Sequence, residues 1–317
     1  MNDIYKGATS LALLLFVSYA ASFGARSFWF LDLFRHFVLQ YWIAAAILSL
    51  FFLFKKSKKL FILCSLILCS TSYELFSNLD LVTRNLTTSE TQHFKIVTYN
   101  RKYTMNNHDD MISWLKTEDP DVIIIQEART SHIEAINSIS DLYPHQILEP
   151  RQNAFGTILV SKYPFVGFDV VETKRYALNN FYIRALISLT KNKDVTIYTA
   201  HPPPPMVQVV AKQRNEDIRT IASAITQDNQ NRIIFAGDWN VTPYSPHFHN
   251  LIETTQLKNQ YTSFFMVHTW PSPFILPIFQ IPIDHILHKG DLRLVDKRRG
   301  PAMGSDHYPL ISTFALQ

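Results

Sequence analysis

Six stretches of the chain end in residues able to do acid–base or metal chemistry: FKIVTYN (Asn100), VIIIQE (Glu127), VTIYTAH (His201), IIFAGDWN (Asp238, Asn240), IPIDH (Asp284) and GSDH (Asp306, His307). Singly, an Asn or Asp that closes a strand is a turn former. Glu127 is different: it follows an apolar run, so its carboxylate is partly buried and needs a cation or hydrogen-bond donors. Asp238 and Asn240 lie two apart and share one face of an extended stretch. A Ser-Asp-His relay through Ser305, Asp306 and His307 is excluded, because three consecutive residues cannot relay through one another.

Taken together these groups are what phosphoester hydrolysis requires. A hard divalent cation such as Mg²⁺, with Mn²⁺ as the alternative, takes one or two carboxylates plus water and phosphate oxygens. Glu127 supplies the carboxylate and Asn100 supports it. Asp238 and His307 can orient and deprotonate an attacking water. Asn240 and His201 are donors for the charge that develops on the phosphoryl oxygens. An imidazole must be held in one tautomer, and Asp284 or Asp306 can hold that of His307.

These side chains need strand ends to carry them. FKIVTY, DVIIIQ, GTILVS, FVGFDVVE, FYIRALISL, VTIYTA, RIIFAG, IDHILH, LRLVD and LISTFAL read as strands from their β-branched and apolar content. HDDMISWLK reads as a short amphipathic helix, and Met206 to Gln227, entered from a proline run, as the longest helix of this part. Many strands with few helices give an α/β fold of two packed sheets with helices outside.

The order Asn100, Glu127, His201, GDWN, IDH and SDH resembles the endonuclease/exonuclease/phosphatase superfamily, the DNase I-like phosphoesterases, from about Phe94 to Phe314. HPPPP (201–205), TWP (269–271), PIDH and GSDH are similar to a bacterial membrane-anchored subgroup with three N-terminal spans. The resemblance implies a four-layer α/β sandwich of two mixed, mostly antiparallel sheets and a divalent-metal-dependent phosphoesterase. It implies Glu127 as metal ligand with Asn100 beside it and Asp306 near the metal. His201 and Asn240 would lie on the phosphate, Asp238 on the water, and Asp284 behind His307. Trp239 stands where Phe is common, a change of packing. Tyr308 stands where Arg is common, so a cation near the substrate is lost. Arg101 can offset this in part. Arg184 and Arg214 are candidates for phosphate contact, with surface salt bridges as the alternative.

The chain has 317 residues and is 47% hydrophobic, and its apolar residues crowd the first eighty. Residues 7–25 and 37–54 are uncharged runs long enough to cross a bilayer, and 60–77 is a third if Glu74 lies near an interface. Residues 1–77 therefore read as a membrane anchor, 78–93 as a polar linker and 94–317 as the catalytic domain. The cluster KKSKK at 55–59 places that side of the anchor in the cytoplasm, which puts residues 26–35 outside, and with them the C-terminal domain if 60–77 crosses; if that run only lies in the interface, the domain stays in the cytoplasm. A glycan on the sequon NVT at Asn240 would block the site, which favours a bacterial inner membrane. Cys64 and Cys69, both in the anchor, are the only cysteines, so the catalytic part has neither a disulfide framework nor a thiol nucleophile. His247 and His249 form an HxH without a third nearby ligand, and read as a turn and helix start.

Residues 94–317 hold 22 Lys/Arg against 21 Asp/Glu, too near neutrality to favour nucleic acid. The expected substrate is a phosphodiester, in a lipid headgroup or alternatively in extracytoplasmic DNA or RNA. A catalytically inactive membrane scaffold is the reading from another class. No obligate protein partner is evident. In HTWPSPFILPIFQIPID, four prolines exclude a regular helix or interior strand. That loop either packs on the domain and its membrane helices or dips Phe274, Ile275, Leu276, Ile278 and Phe279 into the bilayer.

Overall fold

A computed structural model describes residues 2–82, 92–173, 178–189, 193–263, 266–273 and 276–316. The N-terminal part holds four helices, α1 (Asn2–Ser22), α2 (Trp29–Arg35), α3 (Val38–Phe54) and α4 (Lys58–Ser77). Then come β1 (Asp80–Leu81), β2 (His93–Asn100), α5 (Asp109–Glu118), β3 (Val122–Gln126), α6 (Thr130–Asn137), β4 (His145–Glu149) and β5 (Thr157–Ser161). They are followed by β6 (Phe165–Glu172), β7 (Phe181–Ser188), β8 (Asp194–Ala200), α7 (Gln208–Gln227), β9 (Ile233–Asp238) and α8 (Pro246–Thr255). The chain closes with β10 (Gln260–Tyr261), a 3₁₀ turn (Pro277–Phe279), β11 (Asp284–Lys289), β12 (Leu292–Arg299) and β13 (Leu310–Leu316).

Two sheets form the catalytic part, one ordered β12-β13-β2-β3-β5-β4 and the other β11-β9-β8-β7-β6. Only β2–β3 and β8–β9 pair in parallel within them. The strands read from sequence are all present. Strand β4 and helix α6 were not anticipated: β4 has one buried position among five, so its alternation is too weak to read.

The core between the sheets explains where the polar residues go. Phe94 and Ile96 of β2, Val195 and Ile197 of β8, Ile234 and Ala236 of β9, and Ile286 of β11 all face it. Continuing each row by twos reaches Asn100, His201, Asp238 and, backwards along β11, Asp284. The opposite rows pack under helices: Val97 and Tyr99 join Met111 and Leu115 of α5, and Tyr198 and Phe235 join Ile218, Ile221 and Ile225 of α7. Burying each such side chain stabilises the sandwich by about 1.5–3 kcal/mol.

Helices α1, α3 and α4 pack through Ala12, Leu15, Tyr19, Ala45, Leu48, Phe52, Cys64 and Ile67. Their outer faces carry Leu14, Val17, Ile47 and Leu66, each 61–64% exposed. Helices apolar all round call for an apolar surrounding. Helices α1 and α4 are each long and apolar enough to cross a membrane, and α2 with α3, bent by 58°, would make a third span. The expected linker is tied down at its start, where Asp80 and Leu81 pair with Gln260 and Tyr261. Its residues 83–91 lie outside the described residues. His247 and His249 sit in the first turn of α8, the helix start read from sequence, and its Ser245 cap accepts from the His247 N–H.

Candidate active site

Strand direction gathers the six motif ends at one rim. Strands β2 and β3 run parallel and end at Asn100 and Gln126, with Glu127 next. Strands β8 and β9 run parallel and end beside His201 and at Asp238. Antiparallel β11 starts with Asp284 directly opposite Asp238, and β13 starts just after His307, with Leu310 opposite Thr98.

Three backbone features aim the side chains. Glu127 adopts φ +59°, a left-handed turn that few residues other than Gly take, at the point where the strand ends. Asn240 takes φ +52°, which Asn tolerates, and its N–H donates to Asp238 Oδ1 at 3.0 Å. Gly237 has φ +151°, and a Cβ there would lie 2.3 Å from the Ala200 carbonyl oxygen, so only glycine lets β8 and β9 approach this closely.

Asn100 joins the two sheets. Its Nδ2 donates to Glu127 Oε1 and to Asp238 Oδ2, each at 2.9 Å, while its Oδ1 accepts from Lys102 N. Below it, Thr98 and Gln126 bond to each other. Glu127 Oε2 accepts from Tyr103 N at 2.8 Å. Asp238 Oδ2 lies 3.4 Å from His201 Nε2 and 3.6 Å from His307 Nε2. His307 Nδ1 is 2.9 Å from Asp284 Oδ2. His201 Nδ1 faces the Ala154 carbonyl at 2.9 Å, which fixes its tautomer with Nε2 toward the site. Asn240 Nδ2 donates to the Pro202 carbonyl at 3.0 Å and lies 3.3 Å from His201 Nε2.

Electrostatics sort the roles. Burial alone would push the Asp238 carboxyl up, but the charge of His307 and hydrogen bonds from His201 and Asn100 outweigh it and hold it well below the usual carboxylate range. Burial would lower His307, yet Asp284 and Asp238 beside it raise it to about 9. His201 is also raised: burial opposes its charge, and the hydrogen bond and charge of Asp238 prevail.

Among the described residues, Asp238, Asp284 and His307 offer ligand atoms all within 4.8 Å of one another. His307 and Asp284 are committed to each other, so this group is a hydrogen-bonded dyad facing a carboxylate. Glu127 is the better carboxylate for a cation. It is half-buried, and each oxygen accepts one short N–H bond, which leaves a lone pair on each. An oxygen donor of this kind fits a hard divalent ion.

The remaining expected residues go elsewhere, each for a stated reason. Arg184 lies between the inward Ile183 and Ala185 of β7, so it points away from the core and donates to Asp228 at 2.7 Å. Arg214 is on the buried face of α7, where Asp32 of α2 takes its charge at 2.6 Å. Tyr308 is buried beneath Arg299, whose guanidinium lies 4.4 Å from the ring centre. Asp306 meets Lys102 Nζ at 3.6 Å at the outer edge. Arg101 is buried and donates to the carbonyls of Met303 and Asn107. Sequence reasoning missed Ser305, whose Oγ donates to the Asn100 carbonyl at 2.7 Å and accepts from His307 N. It also missed Asn180, which donates to the His201 carbonyl. Ser305 stood inside GSDH and was findable; Asn180 carries no signal beyond preceding a strand.

Two mixed sheets packed face to face, with carboxylates, amides and imidazoles at one rim, are the α/β sandwich of a family whose members hydrolyse phosphoester bonds. The chain belongs to the Endonuclease/Exonuclease/phosphatase family, which matches residues 98–307. The fold is similar to that of the endonuclease/exonuclease/phosphatase from Bacteroides vulgatus (17% identity, TM-score 0.60, 71% of this chain and 100% of that one). It is also similar to D. rerio TDP2 complexed with single strand DNA product (16%, 0.57, 70% and 99%). Sphingomyelinase C from Streptomyces griseocarneus has the same fold (15%, 0.53, 72% and 100%). No curated protein matches the sequence.

Proposed function

We propose that this protein is a membrane-anchored, divalent-metal-dependent phosphodiesterase acting on a lipid headgroup at the bilayer surface. The convergence of Glu127, Asn100, Asp238, His201 and His307 on one rim carries the reading. Glu127, backed by Asn100, would hold the ion, and Mg²⁺ or Mn²⁺ would supply Lewis-acid neutralisation of a phosphoryl oxygen. Asp238, anionic and fixed by four neighbours, orients the attacking water and accepts its proton. His307, kept in place by Asp284, and the donors His201 and Asn240 face the phosphoryl oxygens as charge develops on them. The water oxygen attacks phosphorus in line with the oxygen that leaves.

The lipid reading draws on apolar surface at the anchor. An apolar cavity of about 530 Å³ is lined by Trp42 and Ile43 of α3, Leu75 of α4, and Tyr244, Met266 and Ile278 of the catalytic part. Gln40 of α3 donates to the Ile278 and Gln280 carbonyls, so this loop rests on its own membrane helix. Leu276 and Phe279 are each 56% exposed beside it, while Phe274 and Ile275 lie outside the described residues. The lysines 55–59 cap the junction of α3 and α4, whereas the start of α3, through Gln40, and Asn78 at the end of α4 contact the catalytic part. With those lysines cytoplasmic, the catalytic domain is extracytoplasmic, in the cell membrane of a bacterium.

The test uses the full chain in nanodiscs with Mg²⁺, Mn²⁺ or EDTA. Its substrates are bis-p-nitrophenyl phosphate, phosphatidylglycerol and sphingomyelin vesicles, and single-stranded DNA. Metal-dependent turnover that favours lipid and disappears in Asp238→Ala is expected. Preference for DNA would replace the lipid reading, and no turnover with either ion would end it.

A further inference from the structure

Helix α2 leads from α1 into α3, yet its polar side chains Asp32 and Arg35, with His36 just after it, point into the catalytic part. Asp32, Arg35 and the following His36, at spacings of three and four, occupy one helical face. Each grips the loop that follows GDWN. Asp32 Oδ1 accepts from Ser245 Oγ at 2.8 Å, Arg35 Nε donates to the Tyr244 carbonyl at 3.0 Å, and His36 Nδ1 meets Thr242 Oγ1 at 3.0 Å. Asp32 Oδ2 also pairs with Arg214 Nη2 at 2.6 Å, and both side chains are 1% exposed. Arg214 then spends Nη1 on the Asn240 carbonyl at 3.0 Å.

We infer that Asp32 and Arg214 are positioning residues for the active site, so that the anchor supplies part of its support. The path is short. Arg214 holds the Asn240 carbonyl, the Asn240 N–H holds Asp238 Oδ1, and the rotation of the Asp238 carboxylate decides whether Oδ2 faces Asn100, His201 and His307. Asn240 sits in the left-handed region, which Asn tolerates, and its carbonyl and N–H are the two groups that Arg214 and Asp238 hold. Without Asp32, Arg214 would be a buried charge lacking its counter-ion. The activity readout rests on the phosphodiesterase reading; the contacts do not.

The experiment compares full-length Arg214→Lys, Asp32→Asn and Glu74→Gln in nanodiscs. Arg214→Lys keeps the charge opposite Asp32 and deletes the fork that reaches Asn240. Glu74→Gln weakens the anchor's other, partly buried pair, Arg35–Glu74, and leaves the Asp32–Arg214–Asn240 path intact. With bis-p-nitrophenyl phosphate, kcat should fall roughly tenfold or more in Arg214→Lys and Asp32→Asn, with KM nearly unchanged, and Asp32→Glu should restore part of it. Hydrogen exchange at Asn240 and Val241 should rise in the first two variants and stay at the wild-type level in Glu74→Gln, because Arg35 reaches the loop only further on, at the Tyr244 carbonyl. Should Asp32→Asn fail to fold, Arg214→Lys still decides. Unchanged kcat and unchanged exchange in Arg214→Lys would overturn the inference. An inactive wild type would sink the phosphodiesterase reading instead, and exchange alone would then judge the positioning role.

Discussion

His307 Nδ1 lies 2.9 Å from Asp284 Oδ2, and both side chains are buried. This contact fixes the imidazole so that Nε2 points at Asp238. Asp284→Asn keeps the shape, removes the anion and allows the ring to take the wrong tautomer. It should lower kcat by about 10²-fold or more while thermal unfolding shifts little. Near wild-type turnover on bis-p-nitrophenyl phosphate would remove Asp284 from this role.

Asn100 is the donor that Glu127 and Asp238 share. Asn100→Leu has a similar volume and leaves both carboxylates without it. The expected loss in kcat is about 10²-fold, with a rise in the Mn²⁺ concentration needed for half-maximal rate. Metal titrations of wild type and variant check both effects; an unchanged metal requirement would detach Asn100 from the cation site.

Gly237 is required by the approach of the Ala200 carbonyl. Gly237→Ala should destabilise the fold by about 1–3 kcal/mol and lower activity together, because Asp238 is the next residue. Denaturant unfolding measures the first and turnover the second. A variant as stable and as active as wild type would show that β8 and β9 can separate there without cost.

Lys297 gives a pH signature apart from the site. It is buried, donates to Asn259 and the Ile286 carbonyl, and lies 4.5 Å from the Tyr261 ring centre. Burial pushes its ammonium down to about 7, against about 10.5 in an unfolded chain. Between those values the unfolded chain holds the extra proton, so stability should rise with pH across that window. Below about 7 both states are charged and the burial cost is complete. Lys297→Met should therefore stabilise the protein most at pH 6 and progressively less toward pH 10. A pH-independent difference in Tm would reject this assignment.

Much of the catalytic part is written locally. The β-branched and apolar content of FKIVTYN, VTIYTAH and IIFAGD marks strands, and their period of two, which depends only on neighbours in sequence, ends the inward rows in Asn100, His201 and Asp238. The apolar run before Glu127 forecast its half-buried carboxylate, and GDWN and GSDH carried the family resemblance. What sequence could not decide is which groups become partners. Asn100 and Asp238 are 138 residues apart, and only the packing of one sheet on the other brings them onto a shared nitrogen. Arg184 and Arg214 looked equivalent as cations, yet strand parity turns the first outward and Asp32, 182 residues away, claims the second. An ion pair forms wherever burial leaves a charge least able to reach water, and that is a property of the assembled chain.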